Sequence, residues 1–372
     1  RIGMDPVELR LRNEPDADPV SGKPFSSRHL AEAYRAGAGR FGWASRDPRP
    51  GARRDGEWLT GMGCATATYP HNRFPGGAAR ITLSRDGHAL VEVAAHEMGM
   101  GTATAHAQVA AERLALPLDQ VTVAYGESSL PGVILAGGSQ QTASVGSAVV
   151  AAHRALVAGL LGLCGGDSPL AGHSLDEVGA LDGGLCSLAD PDQWLSYDAI
   201  LDSAHRDEIS AEASAPAPAE AEHWSMHSFG ALFCEVKVSA VTGETRVSRF
   251  LGSFDCGRIL NTKTAASQFR GGIIMGIGAA LMEETQFDER NGRIMNPSLA
   301  EYHVPVHADV PEIDVMWTGI PDPHTPMGAH GIGEIGIVGV AAAVANAICN
   351  ATGTRVRDLP ITLDKLLEAP GG

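Results

Sequence analysis

Glu334 stands apart from the other carboxylates of this sequence. It lies in Gly331-Ile332-Gly333-Glu334-Ile335-Gly336, among glycines and apolar residues with no other charge. A carboxylate in such surroundings sheds hydration and becomes a candidate general base; a helix cap or an ion-pair partner is the alternative from local sequence alone. A second feature is spread over the chain. A glycine-rich loop followed by a helix of small residues recurs near residues 99, 138, 271 and 331. Helix N-termini carry unpaired N–H groups and a partial positive charge, so they suit anions such as pyrophosphate, and glycine lets the backbone come close to a ligand. Taken singly, each loop reads as a tight turn. Converging on one ligand, they would hold an anionic cofactor even in an acidic protein. No loop fits GxxxxGK[ST], and no convincing Rossmann GxGxxG with its ribose-binding acid is present, so both common nucleotide patterns are set aside.

The cysteines and the charge narrow the chemistry further. Cys64, Cys164, Cys186, Cys234, Cys256 and Cys349 show no CxxC spacing, which argues against zinc or iron–sulfur ligation by this chain. Buried reduced thiols in a reducing compartment are the simpler account. Lys plus Arg is 28 and Asp plus Glu is 44, a net charge of −16, which disfavours nucleic-acid backbones and anionic lipid. Aromatic residues make up only 5%, so stacking platforms for single strands are not expected. No run of about 18 apolar residues is seen, so no membrane-spanning helix is expected. The chain begins Arg1-Ile2-Gly3 with no leader pattern, and reads as the middle of a longer frame.

Those groups must be positioned by a mixed set of elements. With 372 residues, two or three units fit, and the core needs no disulfide or structural metal. Residues 1–45 read as a helical lead-in, with Asp5 capping a helix that has Pro6 at its first position and Glu8 at its third. Residues 46–202 form a first half. Ala78 to Ala94 alternates as a hairpin around Arg85-Asp86-Gly87, an Ala-rich helix runs to Leu114, Leu118 to Tyr125 is a strand, and a long helix covers about Ser147 to Leu163. Residues 165–200 look loop-rich. Residues 203–224, rich in Ala, Pro, Glu and Ser, read as a polar linker or excursion. Residues 225–372 form a second half. Its strands cover 233–238 and 245–254, a small-residue helix spans about Gln268 to Glu284, and an Ala helix follows the Glu334 loop. The class is α+β.

The ordered blocks resemble the molybdenum-binding subunit of the xanthine dehydrogenase and aldehyde oxidase family. The likeness is greatest to the large subunit of three-subunit bacterial aldehyde oxidoreductases, and it covers nearly the whole chain. Glu97-Met98-Gly99-Met100-Gly101-Thr102 is similar to the family's cofactor loop, usually Met-Gly-Gln-Gly, with Met100 where Gln is common. Gly138-Ser139-Gln140-Gln141-Thr142 matches the loop holding the pterin's phosphate-bearing tail, Gln268 matches a pterin-contacting glutamine, and Asp255-Cys256-Gly257-Arg258 with Asn261 matches the preceding segment. Glu334 matches the active-site base, with His330 where Lys is frequent.

The resemblance implies a molybdopterin-type α+β fold and a molybdenum–molybdopterin cofactor, plain or as its cytosine dinucleotide, held through the pterin sulfurs with no protein metal ligand. It implies oxidation of aldehydes to carboxylic acids with water as oxygen source, or hydroxylation of aromatic N-heterocycles. A truncated, non-catalytic cofactor-binding or assembly module is the rival reading. Electron exit would use [2Fe–2S] clusters and FAD on separate small and medium subunits, and an upstream part of the same subunit would complete the site. The expected location is the cytoplasm, or the periplasm by co-export with a signal-bearing partner subunit.

Overall fold

The computed structural model describes residues 2–367. Two lead-in helices, α1 (Pro6–Arg12) and α2 (Leu30–Phe41), open the chain. Asp5 caps α1 by accepting from the N–H groups of Val7 (2.8 Å) and Glu8 (3.3 Å), with Pro6 at the first helical position. Strands β1 (Arg53–Asp55), β2 (Trp58–Pro70), β3 (Ala78–Ser84) and β4 (Ala89–Val93) follow, then α3 (Thr102–Leu114), β5 (Val121–Ala124) and α4 (Gln141–Leu163). A small sheet of β6 (Val178–Leu181), β7 (Gly184–Ser187) and β8 (Trp194–Ser196) precedes α5 (Tyr197–Ser203), β9 (Glu208–Ser214) and α6 (Glu220–His223). The rest comprises β10 (His227–Ser239), β11 (Thr245–Asp255), α7 (Thr262–Leu281), the short hairpin β12 (Phe287–Asp288) and β13 (Arg293–Ile294), β14 (Glu312–Trp317), α8 (Val340–Thr352) and α9 (Leu363–Leu367). Helices and mixed sheets together give the expected α+β class.

The larger sheet has the order β1-β2-β10-β11-β14, antiparallel except for the β11/β14 pair. The period-two pattern of β2 explains how both faces are covered. Gly61, Gly63, Ala65 and Ala67 point one way, and α8 lies on that face through Ala343, Ala347 and Ala351. Met62 and Cys64 point the other way, into a cluster of Tyr34, Phe41, Trp43, Phe233 and Leu251 beneath α1 and α2. The approach of α8 is so close that a Cβ at Gly63 would overlap the backbone of Ala343 and Ala347. The smaller sheet, β5-β4-β3-β9, buries Ile81, Leu83, Val91 and Val93 against α3 and α4.

Several expectations change. The stretch 203–224, read as a polar linker or excursion, holds the edge strand β9, which pairs with β3 from Glu208 to Ser214. Its Ile209, Ala211 and Ala213 pack against the core while the residues between face solvent. Short apolar side chains amid Glu and Ser hid the alternation. Residues 165–200, read as loop-rich, also contain the short three-stranded sheet. Helix α4 begins at Gln141 and not near Ser147, because Gly146 is accommodated inside the helix. Gly271 and Gly272 do not form a loop; they lie within α7, and Gly272 rests on Gly336. The 23-residue α4 is long and apolar enough, by length and composition alone, to cross a membrane. Scattered Ser, Gly, His and Arg break the apolar run without lowering its mean hydropathy much. In this fold α4 packs on β3, β9 and α3 as a core helix.

Two outcomes follow. Gly63→Ala forces α8 off β2 and destabilises by about 3 kcal/mol or more, read by denaturant unfolding. His106 on α3 is fully buried with no hydrogen-bond partner for either ring nitrogen among the described residues, and burial pushes its pKa down to about 4. The unfolded chain therefore takes up this proton near pH 6.5 and the folded chain only near 4, so stability is lost as pH falls through that window. His106→Met reduces the loss of unfolding free energy between pH 7 and pH 4.5 by roughly 2–3 kcal/mol.

Candidate functional site

One cavity of about 400 Å³ gathers four separated stretches: Met98 and Met100, residues 136–143, residues 258–268, and residues 327–334. Its volume falls in the range of small-molecule and cofactor sites. Glu334 lies in its wall beside Ser139, whose hydroxyl donates to the Glu334 carboxylate at Oε2. The two loops meet because Gly331 and Gly333 have no side chains. A Cβ at Gly331 would overlap the Ser139 carbonyl oxygen, and one at Gly333 would come within 3.1 Å of Ser139 Oγ. Ser139 itself is held at φ +54°, a region that non-glycine residues rarely adopt, and such strain is often kept at functional positions. Tyr69, at the end of β2, lies beside Glu334, and that carboxylate pushes its phenol pKa up.

The helix termini at the cavity are not equivalent. At α3 the anion position is filled from within. The Glu97 carboxylate accepts from the N–H groups of Gly99 (2.7 Å), Gly101 (3.0 Å) and Thr102 (2.6 Å). Burial raises the Glu97 pKa, but these backbone donors outweigh it and the net shift is downward. Asn261 caps α7 by accepting from Thr264 N at 2.9 Å. Helix α4 has no side-chain cap, and the N–H groups of Gln141, Thr142 and Ala143 have no hydrogen-bond partner among the described residues. These three residues line the cavity, so α4 is the helix that offers free amides and its positive end to a bound anion.

The expected site residues divide accordingly. Met98, Met100, Gly138, Ser139, Gln140, Gln141, Thr142, Gln268 and Glu334 line the cavity; Gly99 and Gly101 do not, and they shape the 97–102 loop behind it. The two glutamine amides are spent on the protein. Gln140 Nε2 donates to the Leu135 carbonyl, and its Oε1 accepts from Ser144 Oγ at 2.5 Å. Gln141 donates to His96 O (2.7 Å) and Thr102 Oγ1 (3.0 Å) and accepts from His96 N (3.0 Å), tying the 96–102 loop to α4. Asp255 is buried and holds His29 N (2.5 Å) and Thr318 Oγ1 (3.0 Å), away from the lining. Arg258 lines the cavity and is paired with Glu112. Tyr69 was not read as a site residue. Its neighbours Thr68 and Pro70 carry no signal, and its proximity to Glu334 arises only when β2 joins the sheet.

The sequence matches the model of the molybdopterin cofactor-binding domain over residues 36–311. The chain belongs to this family. Among curated relatives, it is 42% identical to the Escherichia coli O157:H7 aldehyde oxidoreductase molybdenum-binding subunit PaoC, over 99% of this chain and 49% of the relative. It is 31% identical to the Escherichia coli K12 putative xanthine dehydrogenase molybdenum-binding subunit XdhA, over 99% of this chain and 50% of the relative. The chain thus spans about half the length of the curated relatives it matches. The fold is that of quinoline 2-oxidoreductase from Pseudomonas putida 86 (TM-score 0.83, 21% identity, 98% of this chain and 49% of that one). It is also that of the aldehyde oxidoreductase from Desulfovibrio gigas (TM-score 0.74, 23% identity, 99% and 38%).

In this molybdopterin-binding chain, Gln141 is the joint between the two loops around α4. Gln141→Leu leaves His96 N without its acceptor and the His96 carbonyl and Thr102 hydroxyl with only their bond to each other, costs about 1–3 kcal/mol, and raises hydrogen exchange across 97–102 ahead of the rest of the chain.

Proposed function

We propose that this chain is the catalytic half of a molybdenum hydroxylase subunit that oxidises aldehydes to carboxylic acids, with water as the oxygen source and Glu334 as the base. The observation that carries the reading is the junction at Ser139. It joins the Glu334 carboxylate to the uncapped end of α4 within one cavity. The family match and the name of the 42% identical relative support the substrate class.

The residues fit a molybdopterin. An anionic tail would meet the free amides of Gln141, Thr142 and Ala143, with Gln268 and the Met98–Met100 loop alongside, and a cytosine dinucleotide form would place its diphosphate at the same amides. When bound, the group supplies Lewis acidity and would take up the two electrons of the aldehyde C–H bond, which breaks with loss of its hydrogen as the new carbon–oxygen bond forms. The chain's own part is positional and acid–base. Ser139 Oγ–H fixes one carboxylate oxygen of Glu334, leaving lone pairs to take the proton from water as its oxygen attacks the aldehyde carbon. Met98, Met100, Ile332 and Met327 make the wall of the same cavity mostly apolar.

The electrons would leave through a small [2Fe–2S] subunit and an FAD subunit, with the remaining half of the same subunit closing the cavity; that the relatives are named as molybdenum-binding subunits supports the presence of other subunits, and the half-length match supports a remaining half. Six cysteines free of disulfides suit a cytoplasmic location, with co-export on a signal-bearing partner as the alternative that cell fractionation would reveal.

In the assembled enzyme, Glu334→Gln keeps stoichiometric molybdenum and lowers kcat by about 10²–10⁴. Near-native turnover of that variant would overturn the base assignment. Paired steady-state assays with a benzaldehyde and a purine-type heterocycle test the substrate class, and absence of molybdenum from the purified complex would favour the non-catalytic module.

A further inference from the structure

A buried polar cluster adjoins the Glu334 loop; His330 contributes to the cavity wall, and its pairing with Asp322 has no part in the cofactor binding or proton transfer described above. Asp322 is fully buried, and its Oδ2 lies 2.7 Å from Nε2 of His330, whose side chain is 1% exposed. Its other oxygen accepts from His324 N at 2.8 Å. The His330 ring stacks on His71, with centroids 4.8 Å apart, and His71 Nδ1 accepts from the Gly331 backbone N–H at 3.4 Å. The Gly331 carbonyl accepts from Ser228 Oγ at 2.9 Å, and His330 N donates to Cys256 O at 3.0 Å.

A carboxylate removed from water is tolerated only when its partners are fixed, so Asp322 and the His330 ring define each other's position. Burial opposes the charge on Asp322, but the hydrogen bonds from His330 and the His324 amide hold its carboxyl well below the usual range. Burial pushes His71 the other way, to about 3, so its imidazole is neutral and the Nδ1 lone pair is open to Gly331. His330 precedes Gly331-Ile332-Gly333-Glu334 directly. The ring thus pins the start of the segment whose end is pinned by Ser139.

We infer that Asp322 and His330 are positioning residues for Glu334, setting the backbone of 331–334 so that the carboxylate sits at fixed reach in the cavity. The inference rests on the reading of Glu334 as base. A misplacement of about 1 Å at a reacting group costs up to about 100-fold in rate, which sets the expected effect.

The test uses the assembled holoenzyme. His330→Ala lowers kcat about 10–100-fold with KM within about two-fold and molybdenum content unchanged, as expected for displaced chemistry rather than lost binding. His330→Gln keeps a donor near the Nε2 position and restores most of that rate. Hydrogen exchange at residues 331–334 rises in His330→Ala and in the milder Asp322→Asn, and stays near native in His330→Gln. Native kcat and native exchange in both His330→Ala and Asp322→Asn would overturn the inference, as would a loss confined to KM or a His330→Gln variant no better than Ala. Glu334→Gln, measured alongside, separates the two claims. If it turns over normally the base reading falls, while the exchange data still decide whether the pair orders the loop.

Discussion

The structure around the cavity depends on one close approach, the backbone of Gly331 against the carbonyl of Ser139. No side chain fits between them. That contact brings a loop associated with the larger sheet onto the N-terminal end of α4, which belongs to the smaller one. Every other feature of the site presupposes it. Ser139 reaches Glu334 only because the backbones are in contact, and the amides of α4 face the same space as Glu334 only because the loop crosses there.

A similar logic of small residues governs the rest of the fold. Gly61, Gly63, Ala65 and Ala67 make β2 flat on one side, and the alanines of α8 lie down on it. On α7, Gly272 allows the segment at Gly336 to approach. The glycine and alanine content therefore buys proximity between backbones. The cost is conformational entropy, at roughly 0.5–1 kcal/mol per glycine relative to alanine inside regular elements. Close packing of backbone on backbone offsets it and leaves little freedom for the loops the helices carry.

Electrostatics at the cavity is a matter of which helix ends are already satisfied. The chain carries a net charge of −16, so an anionic ligand must be drawn by local donors. Two of the helix ends near the cavity accept internal partners, Glu97 at α3 and Asn261 at α7. Those interactions engage the N–H groups of Gly99, Gly101 and Thr102 at α3 and of Thr264 at α7, so these amides are already satisfied. The uncapped α4 end remains, framed by residues whose side chains hold it rigid. Gln140 and Gln141 contribute by tying loops to the helix with their side chains, which leaves the backbone N–H groups of Gln141, Thr142 and Ala143 as the donors.

Much of this was legible in the residues themselves. The carboxylate at 334, the cap at Asp5, the hairpin of 78–94 and the helix of 102–114 follow from local chemistry: a charge among glycines, an acid before proline, alternation about a turn, a run of helix formers. The ordered motifs carried the family, since they require only identity and sequence order. What the sequence could not decide is what depends on partners distant along the chain. Strand β9 needed β3 to become a strand, and the glycines at 271 and 272 needed a neighbouring backbone to become helix. The glutamines at 140 and 141 turned inward because Leu135, His96 and Thr102 were there to receive them. The links of Asp322 to His330 and of Tyr69 to Glu334 join residues whose types are ordinary and whose spacing is arbitrary. Hydrogen-bond direction and burial are set by where the backbone finally lies, and only the tertiary structure determines that.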